Sequence, residues 1–182
     1  MKQIAFLTAR SMIEPGPDAR EDAWEHALEF AALKPACEAK GFHLTEAIWD
    51  DPQFDPSRFD GLVVGTAWDY MEKHAAFLDA LARFDAAAPL LNPRATIIWN
   101  SDKTYLRDLD EKGLPVVPTL WADAATPEAI HQAFDRFDVD RVVVKPQIGA
   151  SAWRQASVRR GETLPAPDAL PPAACLIQPF LR

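Results

Sequence analysis

The chain has 182 residues, 48% of them apolar and 25% charged, proportions of a soluble globular protein with one large or two small domains. Its net charge of −8 argues against a general nucleic-acid or membrane surface. No apolar run approaches the ~18 residues of a membrane span. Two cysteines, Cys37 and Cys175, lie in no CxxC or Cys/His cluster and read as buried, reduced thiols. The apolar run at 4–7 is too short for a signal peptide, so a cytoplasmic protein is expected.

Residues 3–8 read as a first strand, apolar on both faces as a central parallel strand is. Residues 11–22 read as a loop with Pro15-Gly16-Pro17 at its middle. Trp24, Leu28 and Ala31, followed by Phe30, Leu33 and Cys37, recur at helical spacing. Pro35 falls inside this pattern and either kinks the helix or opens a second one. Gly41 is a helix stop. Strands follow at 42–49 and 61–66, with a polar, proline-punctuated loop at 50–57. Tyr70, Phe77, Leu78, Leu81 and Phe84 mark another amphipathic helix, and Pro89-Leu90-Leu91 a short strand. This order predicts a small open parallel α/β sheet, whose ligands sit at the carboxyl ends of the strands. Those ends carry Arg10 after the first strand and Trp68, Asp69 and Tyr70 after the third, a candidate substrate lip. The alternative is that Asp69 caps the next helix and both aromatics pack on it.

Asn92-Pro93 reads as a domain boundary. Ile97 and Ile98, then Tyr105, Leu106 and Leu109, suggest helices broken near Asn100-Ser101, with Ser101 as cap of the second and Gly113 as its stop. Lys103 then falls in the first helical turn, where a cation opposes the helix dipole by typically ~0.3–1 kcal/mol. A bound phosphate would offset that; a solvated surface lysine is the alternative. Residues 116–121 read as a strand at an edge, because they contain Pro118. Thr126-Pro127-Glu128 opens a helix whose buried face is Ile130, Phe134 and Phe137.

Arg141-Val142-Val143-Val144-Lys145-Pro146 reads as a buried strand with lysine at its last position and a proline that ends the ladder. Behind it, Gly149, Ala150 and Ser151 are small residues whose backbone amides can approach an anion. Between 141 and 160 there are five basic residues and no acidic one. Residues 1–100 carry −7 and residues 101–182 carry −1, which favours the second half for an anionic ligand. The window reads as a site for a polyphosphate, with ATP foremost. A proline-rich loop at 161–172 and a short strand at 175–178 follow, and the chain ends at Phe180-Leu181-Arg182.

Six pieces together resemble the ATP-grasp superfamily, in the branch similar to bacterial glutathione synthetases and related carboxylate–amine ligases. They are Gly65-Thr66-Ala67-Trp68-Asp69-Tyr70, Leu91-Asn92-Pro93, Trp99-Asn100-Ser101-Asp102-Lys103, Leu114-Pro115-Val116-Val117-Pro118-Thr119, Val143-Val144-Lys145-Pro146 and Ile177-Gln178-Pro179-Phe180. The resemblance spans residues 60–182; before that the chain matches only as a generic α/β beginning. It implies a pre-ATP-grasp domain at 1–92 and the first lobe of the nucleotide clamp at 93–182. It implies that Lys103 and Lys145 contact the ATP phosphates. The loop 147–153, with Gln147, Gly149, Ala150 and Ser151, would fold over the β- and γ-phosphates. Gln178, Pro179, Phe180 and Leu181 would form the hinge against adenine.

By the same resemblance a carboxylate attacks the γ-phosphate to give an acyl phosphate, and an amine then displaces phosphate. No side-chain nucleophile is required, and Ser151 has no adjacent base in sequence. In such ligases the magnesium-binding acids and an asparagine lie in a second lobe after the hinge, about where this chain stops. ATP and Mg2+ are thus the expected cofactors, with weak nucleotide binding and no turnover expected of these 182 residues alone. The competing expectation is a non-catalytic α/β interaction module with a degenerate clamp, pairing through an exposed edge at 116–121 or at the final strand. A dinucleotide-binding reading is poor, since Thr8-Ala9-Arg10-Ser11 has no glycine fingerprint. His26, His43, His74 and His131 read as surface or packing residues. The sequence names neither acid nor amine, and leaves homo-oligomerisation open.

Overall fold

The computed structural model describes residues 1–14 and 16–181, so the expected Pro15 turn and the terminal Arg182 lie outside the described residues. The chain divides into two compact units, Met1–Ile98 and Trp99–Arg182. The first is a parallel α/β unit and the second is built on an antiparallel sheet.

In the first unit, β1 (Lys2–Thr8), β2 (Phe42–Ile48), β3 (Gly61–Val64) and β4 (Leu90–Leu91) form one sheet in the order β2-β1-β3-β4. All its pairs are parallel. The continuous apolar run of β1 is buried from Ile4 to Thr8 because both faces are covered. Ala5 and Leu7 pack on one side with Phe77, Ala80, Leu81 and Phe84 of α3 (His74–Ala87). Ile4 and Phe6 pack on the other with Leu44 and with Phe30 and Cys37 of α2 (Ala23–Glu38).

Three details differ from the reading of the sequence. A short helix, α1 (Arg10–Ile13), replaces the beginning of the expected 11–22 loop. α2 runs as one helix through Pro35. Its sheet-facing side is His26, Phe30 and Cys37, while Trp24 and Leu28 are 61% and 63% exposed. Periodicity locates an apolar stripe, but which side of a helix meets the sheet is decided by tertiary packing. His26 is a packing residue with two polar anchors: one ring nitrogen lies 2.6 Å from Thr66 Oγ1 and the other 2.7 Å from Glu46 Oε1. Gly65 follows β3 where a Cβ would sit 2.0 Å from the Phe6 ring, so the close approach itself requires glycine.

The unit boundary falls within α4 (Arg94–Ser101), which is followed by α5 (Tyr105–Glu111). In the second unit, β5 (Leu120–Ala122), β6 (Arg141–Pro146), β7 (Ala156–Arg159) and β8 (Cys175–Pro179) are ordered β5-β8-β6-β7. The final strand is therefore central, not an edge; the edges are β5 and β7. β5 is shorter than the expected 116–121 strand, and Pro118 precedes it. α6 (Pro127–Phe137) covers the sheet with Ile130, Ala133 and Phe134, capped by Thr126 Oγ1 accepting from the Ala129 amide. Val142 and Val144 point into this core, whereas Val143 and Lys145 are less buried, so the strand alternates. β6 extends through Pro146, one residue past Lys145. The proline is tolerated because β7 pairs only with 141–144. Burial pushes the Cys175 thiol up to about 11, which leaves it unreactive.

Candidate functional site

The second unit brings Lys103 and Lys145 to one small cleft of about 130 Å³, under the loop that follows β6. Gly149, Ala150 and Ser151 form its rim, with Pro146 and Trp153. Ser151, Ala152 and Arg154 adopt left-handed backbone angles of 47°, 55° and 47°. A Cβ on Gly149 would lie 2.6 Å from the Pro146 ring, so glycine is what lets the loop fold back so tightly.

Each lysine is held by protein acceptors. Lys103 Nζ donates to the Gly149 carbonyl at 2.6 Å, and its backbone amide donates to the Gln147 carbonyl at 2.9 Å. Lys145 Nζ donates to Gln178 Oε1 at 3.0 Å. Gln178 Nε2 in turn donates to Thr119 Oγ1 at 2.8 Å, and that hydroxyl donates to the Val117 carbonyl at 2.8 Å. Burial first, and the neighbouring Lys145 charge second, push the Lys103 ammonium below the ordinary lysine range, with Asp102 acting the other way. Two cations are thus gathered in one half-buried cleft, where each disfavours the other's charge.

The local structure around Lys103 corrects two expectations. Ser101 is the last residue of α4, and Thr104 stands at the N-terminus of α5. Lys103 lies in the turn between the helices, so the helix-dipole argument does not apply to it. Gln147 is turned inward: its amide nitrogen Nε2 donates to Asp102 Oδ2 at 2.9 Å. In the terminal segment, the Phe180 amide donates to the Arg141 carbonyl at 3.0 Å, and the Arg141 guanidinium lies 3.7 Å over the Phe180 ring. Pro179 ends β8, and Leu181 is exposed.

In the first unit, Arg10 and Asp69 line a concavity of about 500 Å³ at the carboxyl ends of β1 and β3, together with Arg20, Glu72 and Lys73. Asp69 does not cap α3, whose N-cap is Lys73. Its carboxylate instead accepts from Trp49 Nε1 at 2.7 Å and from Lys73 Nζ at 3.0 Å. Arg10 pairs with Glu14. Trp68 takes part through its carbonyl, which accepts from Arg20 at 3.1 Å. The Tyr70 ring packs on Phe77 with centroids 5.2 Å apart. Burial works against the charge of Lys73, but Asp50 and Asp69 outweigh it and raise its affinity for the proton. Arg20, Lys73 and Thr119 escaped the sequence reading. Arg20 and Lys73 sit in turn segments without periodicity, and Thr119 stands in the sequence only as the end of the 114–119 motif.

Residues 4–92 match the family model described as the N-terminal domain of D-cycloserine synthetase DcsG. The cycloserine biosynthesis protein DcsG of Streptomyces lavendulae is 36% identical over 87 residues, 48% of this chain and 29% of that protein. Among solved structures, that of D-cycloserine synthetase DcsG matches with a TM-score of 0.80 at 24% identity, over 98% of this chain and 59% of the other. A RimK-domain ATP-grasp protein from Sphaerobacter thermophilus matches with a TM-score of 0.64 at 20% identity, over 99% and 64% of the two chains. D-alanyl-alanine synthetase A from Vibrio cholerae gives 0.64 at 16% identity, over 100% and 60%. The chain thus spans about three-fifths of the length of these structures. Among the described residues, no helix is long and apolar enough to cross a membrane.

Proposed function

We propose that this chain, whose fold is that of the N-terminal part of the ATP-grasp ligases, holds the phosphates of ATP for the activation of a carboxylate. The observation that carries the reading is the convergence of Lys103 and Lys145, from separate elements, on one cleft beneath a small-residue flap. Phosphoryl transfer asks of a protein chiefly positioning and charge neutralisation. Two half-buried ammonium groups supply the charge. The phosphates would replace the Gly149 carbonyl and the Gln178 amide oxygen as their partners.

In this reading residues 1–92 are a pre-ATP-grasp domain and residues 93–182 the first lobe of the clamp. The cleft is about 130 Å³, below the ~300–1,000 Å³ of small-molecule pockets. A cleft of this size takes the phosphate end of a nucleotide, with the rim at 149–151 over it. Gln178 to Leu181 supports the adenine side. The concavity at Arg10 and Asp69 receives the acid substrate; Trp68 and Tyr70, expected at its lip, do not line it. Activation of that acid as an acyl phosphate, and its joining to an amine, are the steps this arrangement serves.

Magnesium would add charge neutralisation to the phosphates held here. Among the described residues, no group of three or more His, Cys, Asp or Glu side chains is placed to hold a metal ion.

A phosphate-number series tests the reading. The rise in melting temperature should grow from adenosine through AMP and ADP to ATP. Equal rises for adenosine and ATP would contradict it, because the lysines would then contribute nothing.

A further inference from the structure

Lys103 is flanked by a second set of contacts that do not line the cleft. Asp102, in the turn before α5, accepts from the Thr104 amide through Oδ1 at 2.8 Å and from Gln147 Nε2 through Oδ2 at 2.9 Å. The Gln147 carbonyl accepts from the Lys103 amide at 2.9 Å, and the Gln147 amide donates to the Ala174 carbonyl at 2.9 Å. The turn is thereby joined to Gln147, the residue after β6, through the Asp102 side chain and the Lys103 amide.

Resting on the reading of the cleft as a phosphate site, we propose that Asp102 and Gln147 are positioning residues that hold the Lys103 ammonium in the cleft against the repulsion of Lys145. The physical need is plain. Two like charges in a half-buried site drive apart whichever segment is softer. β6 is anchored by ladder pairing, to β7 as far as Val144 and to β8 through Lys145 and Pro146. The three-residue turn between α4 and α5, Asp102 to Thr104, has no such ladder, so it is the segment that would yield. Among the described residues, Lys103 is faced by the Asp102 carboxylate from its own turn, the Lys145 ammonium from β6 and the Gly149 carbonyl from the flap. Asp102 therefore both fixes the turn and offsets the Lys145 charge, whereas Gln147 only fixes the turn.

The test uses Asp102→Ala, Gln147→Ala, the double variant and the exchanged pair Asp102→Asn with Gln147→Glu, which restores the side-chain hydrogen bond with its polarity reversed. Two readouts are taken: the NMR titration of the Lys103 side chain in the folded chain, and ADP affinity. Asp102→Ala should lower the Lys103 titration midpoint and weaken ADP about tenfold, the scale of one hydrogen bond to a charged group. Gln147→Ala should weaken ADP less, and the double variant should be no worse than Asp102→Ala alone, as for two halves of one contact. The exchanged pair should recover affinity relative to the double variant. An Asp102→Ala chain that titrates Lys103 as the wild type does overturns the proposal, whether or not ADP binds. So do additive losses in the double variant. Absence of any ADP response in the wild type would instead overturn the phosphate reading, with the Lys103 titration still deciding the role of the pair.

Discussion

Lys145 Nζ lies 3.0 Å from Gln178 Oε1, tying the flap end of β6 to the central strand β8 across the face where the cleft opens. Gln178 is 5% exposed and passes the contact on to Thr119. Gln178→Ala should lower stability by about 1–3 kcal/mol, because the Thr119 hydroxyl loses a buried partner and Lys145 its only protein acceptor among those described. Urea denaturation with an unchanged slope checks this; an unchanged midpoint would show that solvent replaces the amide at no loss.

The close approach of Gly65 to Phe6 gives a steric prediction. Gly65→Ala forces a methyl group to within 2.0 Å of a ring that is itself 1% exposed. The strain should be about 1–3 kcal/mol, as for overpacking in a filled core. Combining it with Phe6→Leu should recover part of the loss, since the ring is the obstacle. Additive losses would place the strain in the backbone instead.

An exposed aromatic of α2 and a buried one of α3 separate spacing from packing. Trp24→Ala should change stability by less than about 0.5 kcal/mol, because the side chain is exposed. Phe77→Ala, on the buried face of α3, should lower it by about 3–5 kcal/mol. Similar effects at both positions would mean that Trp24 is covered in the folded chain.

These cases mark what was legible in the sequence. The parallel α/β beginning could be read because β1 is apolar on both faces and turn residues separate the strands. The lysine-bearing strand could be read because Val142 to Val144 is β-branched and Pro146 punctuates it. The face of α2 could not, since Trp24 and Phe30 are equally apolar and only contact with Phe6 and Leu44 distinguishes them. The central place of β8 was hidden too. It pairs with β5 and β6 across long loops, and chain order alone suggested an edge. In the cleft, residue types and approximate order were legible, but the bonds from Lys103 to Gln147 and Gly149 span more than forty residues and leave no local trace. Ser101 looked like a cap, yet Asp102 supplies the turn bond to the Thr104 amide.

The lowered proton affinity of Lys103 sets a pH dependence with a definite sign. The unfolded chain holds this proton to a higher pH than the folded chain. Stability should therefore rise with pH between the folded midpoint and the ordinary lysine value of about 10.4. Nucleotide affinity should fall over the same window, as the ammonium is lost. In Lys103→Met the rise in stability should disappear. A wild-type chain whose stability is flat across that window, measured by urea titration at each pH, would contradict the assignment.

The most direct test is the melting-temperature shift on ATP addition for the wild type, Lys103→Ala and Lys145→Ala, each first shown to be folded by circular dichroism. The shift should be present in the wild type, reduced in Lys103→Ala and absent in Lys145→Ala. A Lys145→Ala chain that responds to ATP as the wild type does would contradict the phosphate assignment of the cleft.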